Sequence, residues 1–248
     1  VKELVCVLIP IMNPTLTPLE KKVIDHALQA LRKYSFIFLV AEDSETTVLE
    51  EAYSQVDRIA FPAKYFESRA TLGSLFLMEA FYERFSWAEF VLIHELNSWV
   101  VKDELHYWCK QGYDYLRADV QDKGGKTGFI NRLRGLTDAQ KAEMDEDFNF
   151  NGLALCHVDR AFRALKGKKS VAYSYRHHPA WQNKDCLFWE LEANRFLPTL
   201  RRPTRIVQNR FANNISSTLP VPSQDRERWP FGLTGVNSSN IEALPYFS

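Results

Sequence analysis

Four short apolar runs constrain this chain more than any other feature: Leu4 to Ile9, Phe36 to Val40, Ile59 to Phe61 and Phe90 to Ile93. Each is too brief for a globular helix and rich in β-forming residues, which predicts strands, the Phe90 run buried on both faces and parallel to its neighbours. Segments with helical spacing lie between them. Pro18 to Lys33 carries Leu19, Val23, Ala27, Leu28 and Leu31, Thr46 to Ser54 is compatible with a helix, and Leu72 to Phe85 carries Leu75, Phe76, Met78, Ala80 and Phe81. Strands alternating with helices of this length specify an α/β fold with a mostly parallel central sheet, right-handed crossovers and flanking helices.

After Tyr115 the pattern loosens. Gln121 to Gly128 reads as a loop; it has three glycines but neither the Gly-Lys-Ser/Thr ending nor the preceding strong strand of a phosphate loop. Asp138 to Asp147 reads as helical or partly mobile, Asn151 to Leu155 as a strand and His157 to Leu165 as a helix. From Thr199 onward Pro, Asn, Ser and Arg dominate, predicting a loop-rich C-terminal part that ends in Trp229-Pro230-Phe231-Gly232. The expectation is one domain over 1–248, with a nucleotide-binding half at 1–120 and an acceptor-side half at 121–248.

The 248 residues suffice to bury about 70 to 75% of the unfolded surface, so folding requires neither disulfides nor metal. Thirty-one basic residues balance 31 acidic ones, which argues against nucleic acid as a partner. Arg201, Arg202, Arg205 and Arg210 read as a solvated surface patch, with phosphate contact as the alternative. Four separated cysteines without a C-x-x-C pair fit reduced thiols in a cytoplasmic protein and imply no zinc site. No apolar stretch is long enough for a transmembrane segment, and the first residues lack the features of a signal peptide. A first residue of valine is expected of a trimmed chain or a piece of a longer, multidomain protein.

The tip of the Phe90 strand is the place to seek chemistry. Side chains alternate along a strand, so a continued extended chain places Glu95 and Asn97 on one face and His94 and Leu96 on the other. Open α/β sheets bind ligands beyond the carboxyl ends of their strands, where an acid-x-amide pair can hold a divalent cation and a phosphate. Capping of the following turn is the alternative. His177 and His178 adjoin Pro179 and Trp181 and read as structural or surface residues, with a ligand or base role as the alternative. Trp99, Trp108, Trp181 and Trp189 can stack on sugar rings or fill the core.

Several pieces together carry a family resemblance: V-C-V-L-I-P-I-M-N-P-T-L-T-P-L-E (residues 5 to 20), K-Y-F at Lys64, F-Y-E-R-F (81 to 85), K-D-E-L-H-Y-W-C-K-Q-G-Y-D-Y (102 to 115), N-G-L-A-L (151 to 155), L-F-W (187 to 189) and P-F-G (230 to 232). On these the chain resembles a bacterial domain-of-unknown-function family of glycosyltransferase-like proteins. The resemblance implies a GT-A-like (Rossmann-like) fold, a nucleotide-sugar donor, a glycan or other hydroxyl acceptor, and a divalent cation (Mn or Mg) near the strand tip. Polysaccharide biosynthesis is the implied setting. The implied donor-binding residues are Pro10, Glu42, Glu95 and Asn97, with Glu95 and Asn97 as metal ligands and Asp185 as the base that activates the acceptor.

The chain departs from the family where chemistry is expected. Its strand tip has Glu95-Leu96-Asn97-Ser98 against a family Gln-Leu-Asp-Ala, so an amide replaces the aspartate and metal affinity should fall unless Glu95 compensates. Leu72-Gly73-Ser74 replaces Tyr-Asn-Arg on the helix beside the donor cleft, removing polar groups. Arg117-Ala118-Asp119-Val120 stands against Gly-Ala-Pro-Trp, and Leu233-Thr234 against a Cys-His that is a late metal ligand. Asp185-Cys186-Leu187-Phe188-Trp189 sets against Glu-Asp-x-Phe-Trp, which without a gap puts Cys186 at the aspartate, while a slip of one residue keeps Asp185 in role; Glu190 reads as a helix-surface acid, with a spare carboxylate as the alternative. A non-catalytic glycosyltransferase-like domain that binds a glycan or a protein is therefore the alternative reading.

Overall fold

The computed structural model describes residues 1–118, 136–147, 152–196, 199–215 and 229–244. The glycine-containing stretch Gln121 to Gly128 lies outside them, as do Asp119, Val120 and Asn151. The apolar runs form the strands β1 (Glu3–Pro10), β2 (Ser35–Ala41), β3 (Asp57–Phe61) and β4 (Ala88–His94). Two short strands follow, β5 (Ser98–Val100) and β6 (Tyr115–Arg117), then β7 (Leu153–His157), β8 (Ala212–Asn214) and β9 (Gly232–Thr234). The main sheet has the order β3-β2-β1-β4-β7-β6, with β1 to β4 mutually parallel and β7 antiparallel to both β4 and β6.

Alternation along these strands divides the interior into two layers. Cys6, Leu8, Val91 and Ile93 face one core with Leu75, Phe76, Phe81 and Trp189, whereas Val7, Ile9, Phe90 and Leu92 face the other with Ile24, Leu31 and Trp108. Burial on both faces explains why β1, β2 and β4 appear in the sequence as nearly continuous apolar runs. The four cysteines are free and buried. The tryptophans Trp99, Trp108, Trp181 and Trp189 are core residues, each at most 4% exposed.

Local signals set most boundaries. The helix Pro18–Ala30 starts at Thr17, whose hydroxyl accepts from the Glu20 N–H while the Glu20 carboxylate accepts from the Thr17 N–H, a complete capping box. The expected Leu72 to Phe85 helix is instead two, Arg69–Leu75 and Glu79–Arg84. Ser68 and Thr71 cap the first, which moves its start upstream. Leu75, Phe76 and Leu77 are all buried, more than one stripe of a continuous helix can bury, and the chain becomes extended at Met78. The expected strand at Asn151 to Leu155 is shifted to Leu153–His157, with helix Val158–Gly167 following directly.

The tail departs most from expectation. After helix Arg205–Phe211 it supplies β8 and β9, which join β5 in a second sheet of order β5-β9-β8 over a small core that includes Val23, Trp99, Leu233 and Val236. Short strands built of Asn, Gly and Thr carry little β signal, and non-local pairing supplies what propensity does not. No helix among the described residues is long and apolar enough to cross a membrane.

Candidate functional site

The carboxyl ends of β1, β2 and β4 share one edge of the main sheet, with Pro10 paired to Leu39 and Leu8 to Ile93. Glu95 leaves β4 on the Ile93 face, as strand alternation requires. Its N–H donates to the Gly152 carbonyl at 2.7 Å. Residues 96 and 97 then turn, with the Ser98 N–H donating to the Glu95 carbonyl at 3.1 Å. The expected common face of Glu95 and Asn97 is thus lost, because the extended chain ends before Asn97 is reached.

Glu95 turns instead to an arginine that sequence reasoning missed. Arg69 Nε lies 3.2 Å from Glu95 Oε1, and its two terminal nitrogens donate to the two oxygens of Asp185 at 2.9 and 3.1 Å. One guanidinium joins a carboxylate from the tip of β4 to another from the helical segment Lys184–Leu187. The side chains of Arg69, Glu95 and Asp185 are 24%, 15% and 9% exposed. Burial pushes the Glu95 carboxyl up to about 7, with Arg69 pulling it down and Asp185 adding to the rise. A cavity of about 10 Å³ beside the cluster, lined by Phe76, Gly152 and Cys186 among others, has room for one water.

Gly73 makes the cluster possible. A Cβ there would lie 2.7 Å from Asp185 Oδ1 and 3.0 Å from Arg69 Nη1. The Leu72-Gly73-Ser74 departure therefore opens space for a buried ion pair where it had read only as a loss of polar groups. The expected helix start at Leu72 left Arg69 outside the helix; in the fold it occupies the first turn, where the dipole disfavours a cation and nearby carboxylates are called for.

Asn97 and Thr234 both neighbour Ser98, at a corner beside the cluster. The β5–β9 register sets Thr234 opposite Ser98, and Asn97 Oδ1 accepts from Ser98 Oγ at 3.4 Å. The same oxygen lies so close to Gly152 that a Cβ there would be 1.7 Å from it. These groups do not fit a divalent cation. The corner offers an amide oxygen and a hydroxyl, its nearest expected carboxylate is engaged by Arg69, and the described residues contain no group of three or more His, Cys, Asp or Glu able to hold a metal. Pro10 is buried at the end of β1, and Glu42 follows β2 with an exposed side chain and its N–H on the Phe61 carbonyl at 2.8 Å. Both border the edge without joining the cluster.

The other candidates have structural partners. His177 stacks on Tyr173 and His178 on Trp181, with centroid distances of 4.0 and 3.6 Å. Glu190 joins a second ion cluster, accepting from Arg117 Nη2 at 2.8 Å and from Arg202 Nη2. Burial would raise Glu190, yet Arg117 and Arg202 together hold it down at about 2. Arg202 thus belongs to a latch and not to a solvated patch. His94 is fully buried, and burial depresses its pKa to about 4, so it stands neutral behind the strand tip.

Comparisons with known proteins agree with this architecture. A family model described as a protein of unknown function, DUF5672, matches residues 55–234. A glycosyltransferase involved in glycosylation of the major capsid of PBCV-1 superposes with a TM-score of 0.53 at 11% identity, over 96% of each chain. The galactosyltransferase LgtC, in complex with donor and acceptor sugar analogues, superposes with a TM-score of 0.56 at 11% identity, over 94% of this chain and 87% of that one. At such identity the likeness establishes the GT-A glycosyltransferase fold and nothing finer. No curated protein matches in sequence.

Proposed function

This chain belongs to the DUF5672 family of proteins of unknown function, and on that premise we propose that it transfers a sugar from a nucleotide-sugar donor to a hydroxyl of a glycan or other acceptor. The observation that carries the reading is the convergence of Glu95 and Asp185 on Arg69 at the carboxyl edge of a glycosyltransferase-type sheet. Breaking a sugar–phosphate bond leaves negative charge on the departing nucleotide, and the attacking hydroxyl must lose a proton. Arg69 is the fixed cation for the first task and Asp185 the base for the second. Asp185 becomes available when the ligand takes over hydrogen bonds that Arg69 now makes to it. Pro10 and Glu42 border the donor in this reading, residues 1–120 form its half of the domain and 121–248 the acceptor's half. The free thiols fit a cytoplasmic setting.

Calorimetric titration with UDP, GDP and dTDP sugars, each with Mn²⁺ and with chelator, tests the proposal. Binding is expected to be equal in both conditions, with slow donor hydrolysis. Asp185→Ala should abolish turnover and spare binding. Absence of binding to every nucleotide by the folded protein would refute the transferase reading. A second reading, a non-catalytic domain that binds a glycan or a protein, is favoured by the engagement of both Asp185 oxygens and by a cavity fit for one water. Glycan binding without donor hydrolysis would select it.

A further inference from the structure

The helix Arg69–Leu75 has a second functional face. At 100° per residue Arg69 and Gly73 lie on one side, whereas Thr71 and Ser74 lie on the other. Thr71 and Ser74 line a separate cavity of about 320 Å³ together with Lys64, Tyr65, Glu67, Arg176, His177 and Lys184. Three cations from three parts of the chain thus line one cleft with a single carboxylate.

Two of these cations are underused by the protein. Lys184 is 7% exposed, and its ammonium, which carries three donors, has one hydrogen-bond acceptor among the described residues, the Arg176 carbonyl at 3.0 Å. Arg176 has no carboxylate partner among the described residues, and its guanidinium lies 5.7 Å from the Tyr173 ring centroid. Burying donors without acceptors is costly, so donors gathered at a cavity mark a place where an acceptor-rich ligand is expected. Lys64 is exposed at the mouth, with its ammonium 5.1 Å from the Tyr65 ring centroid. Ser74 Oγ lies 3.0 and 3.1 Å from the Ala70 and Arg176 carbonyls, which share its one proton, and so it ties the helix to the Arg176 turn.

We propose that this cleft binds a phosphomonoester carried on a sugar-sized body. Its volume is at the lower end of the range for small-molecule sites and exceeds what a bare anion fills. Lysine and arginine donors from three directions match the three terminal oxygens of a phosphomonoester better than the two of a carboxylate. Glu67 and the Tyr65 ring supply a hydroxyl acceptor and an aromatic wall for the rest of the ligand. The cleft is independent of the transfer reading, since Arg69, Glu95 and Asp185 lie across the helix from it.

Titration of the whole chain with glucose 6-phosphate, with glucose and glucuronate as controls, tests the assignment. Glucose 6-phosphate should bind, glucose should not, and glucuronate should bind at least about tenfold more weakly, the worth of one charge-assisted hydrogen bond. Lys184→Gln should weaken binding about tenfold and Lys64→Gln about threefold to tenfold. Lys64 is exposed, so its replacement keeps the test valid if the Lys184 variant does not fold. A folded protein that does not bind glucose 6-phosphate, or binding that neither variant weakens, overturns the proposal. Competition by UDP-glucose, whose diphosphate has no terminal phosphate group, also overturns it, because that would place the ligand in the donor site. Failure of every nucleotide to bind would refute the transferase reading and leave the cleft standing.

Discussion

The two arginine–carboxylate clusters are opposites in charge: Arg69 serves two carboxylates, whereas Glu190 serves two arginines. Both acids are raised by burial, but Arg69 offsets it only in part and leaves Glu95 at about 7, whereas Arg117 and Arg202 outweigh it and hold Glu190 down at about 2. Around Glu190 two arginines outweigh one carboxylate and place further donors on the backbone carbonyls of Ala118, Trp189 and Glu190, and the cluster ties β6 to the segment after Leu200. Around Arg69 one cation is asked to answer two carboxylates. An under-satisfied buried acid beside a sheet edge is what functional sites contain and structural latches avoid. The difference, more than the presence of charge, separates the candidate site from the scaffold.

Removing the cations should give the largest contrast. Arg69→Met leaves two buried carboxylates with no cation and should cost about 3 to 5 kcal/mol in chemical denaturation. Arg202→Met leaves Glu190 with Arg117 and should cost about 1 to 3 kcal/mol. Equal losses would show that the clusters are energetically alike and break the comparison.

Neutralising the acids should have opposite signs. In the folded state Glu95 titrates at about 7, above the 4.5 of an ordinary glutamate, so the native protein holds the extra proton between these values. Its contribution to stability is fully present below pH 4.5 and is lost as the pH rises through 7. Glu95→Gln should therefore be neutral at pH 4 and stabilising by about 1 to 3 kcal/mol at pH 8. Glu190 titrates at about 2, so its contribution is full above 4.5 and lost as the pH falls toward 2. Glu190→Gln should destabilise by about 2 to 3 kcal/mol at pH 7 and lose that penalty on acidification. Thermal melts of both variants from pH 3 to 8 test the pair, and parallel profiles would refute the distinction.

The sequence revealed the two clusters unequally, for a physical reason. β1, β2 and β4 were legible because burial on both faces leaves unbroken apolar runs, and Glu95 was legible because it follows one of them. Arg69 was hidden because an ion pair bridging β4, one helix and a distant second helix has no local spacing. Glu190 read as a surface acid for the same cause: Arg117 and Arg202 are its neighbours only in the fold. The second sheet was missed because Ala212–Asn214 and Gly232–Thr234 take their strand character from each other and from β5. Gly73 was seen, but as an absence, since only the folded chain shows what occupies the space.

That space supplies the smallest and sharpest test. Alanine in place of glycine within a helix ordinarily gains about 1 kcal/mol, and Gly167, whose Cβ would meet nothing within 4 Å, should show a gain of that order. At Gly73 the same methyl meets Asp185 Oδ1 at 2.7 Å. The carboxylate must move away from Arg69, and an overpacking cost of about 1 to 3 kcal/mol offsets the helical gain, so Gly73→Ala should lose about 1 kcal/mol overall. A double-mutant cycle isolates the cause. In an Asp185→Ala background the 2.7 Å contact is gone, Arg69 Nη1 at 3.0 Å is released from Asp185 and can shift, and Gly73→Ala should become stabilising, like Gly167→Ala. If Gly73→Ala stays destabilising there, the glycine serves the helix backbone and not the ion pair, and the account of how this chain seats Arg69 between two acids fails.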